Sequence, residues 1–584
     1  MSRKFAVIFL LLSFSGISLS SEDADRLEQL FELREEPKST VDALLPELAP
    51  RVTVGEFPEA PFRLEAVEIL GSSVYTDADL EPLYSPYLHR PGTRKRLRDL
   101  AEAIIRQYEA DGYPYTQILV EPLVASEGAV KIRIREAFID NVVVQGEPKG
   151  KKDRFADLIS KIKAMRPIRR SDIERYILLA SDLGGIYKIS AEVQASESNP
   201  GAYTLVLSPM LQNTVMGFVV ANNRGTEAVG PVFFVPGALV FNPFGYFGKT
   251  SLKLATTPET KELRFLSAEH ELPLNDAGTK LKLRFSYTTS HPGTVAAEMV
   301  DANSRAQTFS FGVSHPFVRT QRTNFTGYGK FDIKQSDRRM HTLIPTFNNF
   351  GQPVGSIDVH GKYSEDKTRI LRAGADFDYA DSTDGITRLQ LEWSHGLSGF
   401  GAKAHDPLTE SLSFLAKNDD GVADFDKITY ALSRTQPLAF VNPKLEKWSA
   451  YGAIEGQISA DPLLASEECG IGGRYMGRAY DSSEITGENC IGASFELRRD
   501  IGGSPIEWLP DSQGYLFYDI GKVEQKGNPI GQTDESLSSL GAGLTFQIPP
   551  YVSLSLEVAK PLTREVANEE DKSLRTFASI FAVF

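Results

Sequence analysis

From residue 211 to the C-terminus the chain alternates apolar and polar residues, and that period of two most narrows what it can fold into. Leu281, Leu283, Phe285 and Tyr287 alternate with Lys282, Arg284 and Ser286. Leu371, Ala373, Ala375, Phe377 and Tyr379 alternate with Arg372, Gly374, Asp376 and Asp378, and the pattern returns at Leu389–Trp393, Ile491–Leu497 and Val552–Val558. One such strand proves little, because any half-buried sheet alternates. Their number over 211–584, the loss of helical periodicity and a last strand, Phe577–Phe584, that ends on an aromatic residue predict a transmembrane β-barrel. A mean hydropathy of −0.22 fits, since alternation cancels in the average.

The first residues agree with export. Arg3 and Lys4 precede an apolar run from Phe5 to Ile17, and Ser18 and Ser20 flank Leu19, which predicts a signal peptide over 1–20 cleaved after Ser20. No later stretch approaches the ~20 apolar residues of a spanning helix. A net charge of −14 argues against nucleic-acid binding. The chain carries no P-loop, no G-x-S-x-G, no H-E-x-x-H and no clustered His or Cys. No catalytic residue, metal or cofactor is therefore expected. Cys469 and Cys490 are the only cysteines. In an exported chain such a pair fits a disulfide, worth about 3 kcal/mol in the chain-entropy account, with two unpaired thiols as the alternative.

Ahead of the barrel, 21–61 reads as an N-terminal helix and linker. Leu27, Leu30, Phe31 and Leu33 form an apolar stripe within Asp25–Glu36, and Pro46, Pro50, Pro58 and Pro61 follow. Residues 62–137 predict strand, helix, helix, strand, strand. Thr76-Asp77-Ala78-Asp79 opens the first helix, and Thr93–Asp111 forms the second with Gly112 as its cap. The same order returns over 138–210, with Ser171-Asp172-Ile173-Glu174 as a capping box and Gly184-Gly185 as a stop, an internal repeat of about 75 residues.

Two motifs near the C-terminus carry the rest. Gly477-Arg478-Ala479-Tyr480 lies in a long loop around 465–490, and Phe517, Asp519 and Gly521 form F-x-D-x-G on a strand. With Leu516, Tyr518 and Ile520 facing lipid, Phe517, Asp519 and Gly521 face the bore. A charge aimed into a bore is costly unless paired. An Arg on a loop and an Asp on the wall therefore suggest a latch.

With these residues the chain resembles the TpsB-type transporters of two-partner secretion, the haemolysin secretion/activation and filamentous-haemagglutinin transporter class. The resemblance covers essentially all of the mature chain. It implies an N-terminal plug helix, two periplasmic POTRA domains (62–137 and 138–210) and a barrel of about 16 antiparallel strands over 211–584. It also implies that Arg478, at the tip of the sixth extracellular loop, pairs with Asp519 in the lumen. Arg478 and Tyr480 match the family's V-R-G-[YF] tip. Gly477 stands where the family has Val and Ala479 where it has Gly, a change that alters the backbone if that position needs a positive φ. Phe584 matches the family's barrel-ending signal.

The function implied is export of an unfolded, large secreted partner, a TpsA-like exoprotein, from periplasm to cell surface. The transporter would lie among outer-membrane lipid and be inserted there by the barrel-assembly machinery. A POTRA sheet could take the partner as an added strand, with Lys131–Arg135 and the groove beside Ser171–Leu183 as candidates. A barrel-assembly factor of the same superfamily is the alternative; an outer-membrane enzyme or a passive porin fits the repeats and missing motifs less well.

Overall fold

The computed structural model describes residues 24–27, 31, 38, 51–57, 62–124, 128–146, 154–196, 199, 201–299, 301–347, 352–402, 421–502, 512–526, 534–548 and 551–584. The expected leader at 1–20, and Leu30 and Leu33 of the expected helix, lie outside these residues.

In the first α+β unit, helix Asp77–Tyr84 begins where the sequence places it. The Asp79 carboxylate accepts from the backbone N–H of Thr76 at 2.8 Å and from its hydroxyl at 2.6 Å. Helix Arg94–Ala110 starts on Thr93, whose hydroxyl accepts from the Arg96 N–H, and Gly112 follows at φ 89°, the left-handed cap a Cβ disfavours. Leu97, Leu100, Ile104 and Tyr108 bury against Ile118, Val120, Val130, Ile132 and Ile134. The sheet runs Arg51–Val54, Gln117–Val124, Ala129–Arg135, Ala66–Leu70.

Two expectations change here. Arg51–Val54, within the expected linker, is an edge strand parallel to Gln117–Val124. Ala129–Arg135 is an inner strand, paired on both sides. Its backbone is already satisfied, so Lys131–Arg135 cannot accept an added strand.

The second unit repeats the order with strand Phe138–Val144, helices Arg154–Ala164 and Arg170–Ser181, and strands Ile186–Ala195 and Ala202–Leu211, the last of them central in its sheet. The expected capping box at Ser171–Glu174 does not form. The helix starts two residues earlier, at Arg170, with Arg169 as N-cap and no side-chain cap. The first unit replaces it: the Arg170 N–H donates to Gly112 O at 2.9 Å, and Arg169 Nε donates to Asp111 O at 3.2 Å. Docking thus satisfies the Arg170 N–H, one of the orphan donors at the helix start.

Sixteen antiparallel strands, from Val215–Asn222 to Arg575–Val583, close into a barrel in chain order. The seam pairs Phe218 with Val583 through to Asn222 with Ser579. Phe584 extends it, exchanging both backbone hydrogen bonds with Gly217 at 2.8 and 2.9 Å. Strand Gln513–Glu524 shows the wall's logic: Leu516 is 59% exposed outside while Phe517 is 2% exposed inside. Strands Thr323–Phe347 and Pro353–Ala380 run well past the length a bilayer needs and pair with each other to their ends.

Helix Ala24–Leu27 lies against the inner wall. The Ala24 N–H donates to Ser304 Oγ at 2.9 Å, and Leu27 and Phe31 bury against Phe233 and Phe265. Further along, the Lys38 N–H donates to Asp378 Oδ2 at 3.2 Å.

The second unit is seated on turns between barrel strands. Phe247 inserts into its core, and the Gly184 N–H donates to Phe247 O at 2.8 Å. Arg175 donates to the carbonyls of Ala277, Pro316 and Phe317. Asp182, just past the helix, receives Arg319 in a two-pronged pair at 2.9 and 3.0 Å, and Arg319 also donates to Asn324. Losing one partner of a buried pair costs about 3–5 kcal/mol, with the lower end expected because Asp182 keeps some water. Arg319→Ala should therefore speed hydrogen exchange in Arg170–Ser181 and in the 316–323 turn. The folded barrel's heat-dependent gel shift should be unchanged, and unaltered exchange would contradict the seating role.

Candidate functional site

The loop between the eleventh and twelfth barrel strands folds back into the bore as a tongue. Its stem is a two-stranded ribbon, Cys469–Ile471 against Ile485–Gly487. Its tip turns at Gly477–Tyr480, where the Tyr480 N–H donates to Gly477 O at 2.8 Å. The left-handed residue of this turn is Gly477, at φ 70°, whereas Ala479 does not take a positive φ. The glycine lost at 479 is thus not needed for φ, and Ala479 is buried beside Phe517 and Leu537.

Arg478 ends against strands Asn489–Asp500 and Gln513–Glu524. Its Nε and Nη2 donate to the two Asp519 oxygens at 3.1 and 2.8 Å, and its backbone N–H donates to Asp519 Oδ2 at 3.0 Å. This fork fits a carboxylate as a lysine could not. Nη1 donates to Glu496 at 2.7 Å and Nη2 to Ser494 Oγ at 2.9 Å. The guanidinium lies 3.6 Å above the centre of the Phe517 ring, so the F of F-x-D-x-G supplies a cation–π face beside the acid. Asp519 is fully buried and accepts further bonds from Ser494 at 2.8 Å and Ser539 at 3.3 Å.

The tip's backbone is held as well. Arg575 donates to Ala479 O at 3.0 Å and to the Asp481 carboxylate at 2.7 Å, while Arg224 donates to Arg478 O at 3.4 Å and pairs with Glu557. The Tyr480 hydroxyl donates to Ser538 O at 3.2 Å. Gly521 is where the ribbon meets the wall: a Cβ there would lie 2.7 Å from both Cδ1 and Cγ2 of Ile471.

The remaining expected residues have definite places. Cys469 and Cys490 form a disulfide that ties the start of the ribbon to the first residues of strand Asn489–Asp500. Phe584 lies outside the bore on the barrel seam, 76% exposed, its ring over Gly217.

Four site residues were not singled out from the sequence. Glu496 and Glu557 occupy inward positions of alternating strands, and their charge was the signal. Arg224 and Arg575 lie at the ends of the first and last strands, which the chain separates by its whole barrel and closure brings together. A larger omission is Glu467. Its side chain is 1% exposed and meets Lys334 at 2.6 Å, Lys427 at 2.8 Å and Arg372 at 3.0 Å. Only its place beside Cys469 hinted at it. Among the described residues no group of His, Cys, Asp and Glu is arranged to hold a metal.

Comparison with known proteins agrees with this architecture. Residues 362–546 match the family described as haemolysin secretion/activation protein ShlB/FhaC/HecB, and residues 62–137 match the ShlB-type POTRA domain. The chain is 22% identical over 527 residues to the heme/hemopexin transporter protein HuxB of Haemophilus influenzae, covering 87% of this chain and 85% of that protein. Its fold is similar to CdiB from Escherichia coli, with a TM-score of 0.71 at 17% identity over 100% of this chain and 99% of the other. CdiB from Acinetobacter baumannii gives 0.60 at 17% identity, over 96% and 95%. Barrel, POTRA unit and folded-in loop together agree with these matches to the haemolysin secretion/activation family, and the chain resembles the TpsB-type transporters of two-partner secretion.

Proposed function

We propose that this chain lies in the bacterial outer membrane with its POTRA units in the periplasm. There it captures an unfolded partner exoprotein and passes it through the barrel to the cell surface. The observation that carries this reading is the bore itself, closed by a tongue whose tip is held by buried ionic contacts, above all Arg478 with Asp519. Such a pair adds little net stability, yet either member left alone in the bore is costly, so the contact favours a closed state without welding it. A passive pore needs neither the tongue nor two seated periplasmic units.

Capture by strand addition requires an edge. In the second unit Ile186–Ala195 is an edge strand and carries the exposed Tyr187, whereas helix Arg170–Ser181 is partly covered by the barrel turns. We therefore move the candidate contact from the groove at Ser171–Leu183 to this edge. The energy of export comes from the partner folding outside, since the chain has no nucleotide-binding loop.

Arg478→Ala should raise resting conductance in planar bilayers and cut partner secretion, while the barrel stays folded and membrane-inserted. Wild-type conductance and secretion would contradict the latch. Deleting the gene should leave other outer-membrane proteins at normal levels; their depletion would favour the assembly-factor alternative. Gly521→Val should push Ile471 off the wall, an overpacking cost of about 1–3 kcal/mol, and expose the 470–487 tongue to added protease while the barrel resists. An equally protected tongue would contradict the close approach.

A further inference from the structure

The tongue is anchored twice, and the two anchors differ in kind. Its tip brings a cation to an acidic arc of wall formed by Asp519, Glu496 and Glu557. Its neck brings an anion to a basic arc on other strands: Lys334 on Thr323–Phe347, Arg372 on Pro353–Ala380 and Lys427 on Asp426–Pro437. Glu467 is that anion. The wall does supply acids of its own, since Asp332 accepts from Arg372 Nε at 2.7 Å and Glu392 lies 3.6 Å from the guanidinium. Glu392 is shared with Lys330 at 2.9 Å, so the wall cations outnumber these two acids, and Glu467 supplies a further negative charge from the loop.

The backbone is clamped at the same level. The Gln457 amide donates to Glu467 O and to Glu488 O, both at 3.0 Å, so one side chain holds the incoming and outgoing legs together. Lys427 Nζ also donates to Glu467 O at 2.7 Å, and Gln457 Oε1 accepts from the same Nζ at 3.1 Å. Two residues on, the Cys469–Cys490 disulfide fixes the loop covalently to the wall. Just before it, Leu463 is buried with Ile370 and Phe425. The tip is held by noncovalent contacts, Arg478 on Asp519 and Glu496, Arg575 on Asp481 and the packing of Ala479 and Tyr480 with Phe517 and Leu537; the neck adds a covalent bond to its ion cluster, amide clamp and apolar contact.

We propose that Glu467 is a positioning residue that fixes a stationary neck. The bore then opens by a swing of the segment 470–487 about residues 467–469 and 488–490, not by withdrawal of the whole loop. This deepens the gating reading of Proposed function and rests on it. The swing keeps the loop in register, so Arg478 returns to Asp519 after each passage. A loop released at its neck would leave Lys334, Arg372 and Lys427 facing the bore without the Glu467 carboxylate.

The test uses the purified full chain in planar bilayers, with heat-dependent gel migration as the check on folding. Glu467→Gln keeps the shape and removes the charge. It should raise the time spent open at least about tenfold over wild type, since an uncompensated buried charge destabilises the closed state. Glu467→Asp should stay near wild type. Cys469→Ser with Cys490→Ser should add to the Glu467→Gln effect. Should Glu467→Gln fail to fold, Glu467→Gln with Lys427→Gln removes the acid and one cation together; it adds no unmatched charge but loses the loop-to-wall attraction, so it should raise the open time above wild type by less than about tenfold. A folded Glu467→Gln or paired variant with wild-type open time overturns the neck anchor, even while Arg478→Ala still opens the pore. The reverse result, with Arg478→Ala silent and Glu467→Gln open, removes the tip latch and leaves the neck standing.

Discussion

A sheet of sixteen strands that closes on itself encloses more room than its inward side chains can fill, so the rest of the chain has to supply a stopper. Both segments that flank or interrupt the barrel do so. Leu27 and Phe31 from the N-terminal stretch pack on Phe233 and Phe265, and the tongue around Arg478 packs on Phe517 and Leu537. Between these apolar patches the wall is polar, because lipid claims the other face of every strand. A stopper for such a wall has to be charged where the wall is charged, which is why Arg478 and Glu467 carry the contacts while leucines supply only local packing.

Closure also decides which charges meet. Arg224 follows the first strand and Arg575 opens the last, yet both reach the tongue's tip and both lie near Phe577, at 4.1 and 5.3 Å. Only the seam between Val215–Asn222 and Arg575–Val583 makes them neighbours. The tip therefore rests on residues from both ends of the barrel, and it can be completed only once the cylinder is closed. At one end of the cylinder the second α+β unit is seated on its turns through Phe247, Arg175 and the Asp182–Arg319 pair.

Local periodicity made the barrel, the two α+β units and the inward face of Phe517, Asp519 and Gly521 legible in the sequence, because each follows from which side of one strand or helix is buried. What local pattern could not carry is pairing across the chain. Ala129–Arg135 looks like any amphipathic strand, and only its two partners show it to be an inner one. Ser171-Asp172-Ile173-Glu174 spells a cap, but the first unit supplies the bonds instead, through Gly112 and Asp111. Glu467 looked like an ordinary loop acid, and its partners lie 133, 95 and 40 residues away in the chain.

The use of ions for this closure follows from what the bore has to do. An apolar plug would be favoured in proportion to the area it hides from water, and opening would have to return all of that area to solvent. A buried ion pair behaves differently: its attraction is largely offset by the water it gave up, so closed and open states can lie close in energy while the paired geometry stays specific. The Arg478 fork on Asp519, with Phe517 beneath it, supplies such short, directional contacts beside the apolar packing of Ala479 and Tyr480 on Phe517 and Leu537. The neck needs the opposite property, and there the same ionic chemistry is reinforced by the Gln457 clamp and the Cys469–Cys490 bond. On the proposed gating, one loop divides into a part built to let go and a part built to hold.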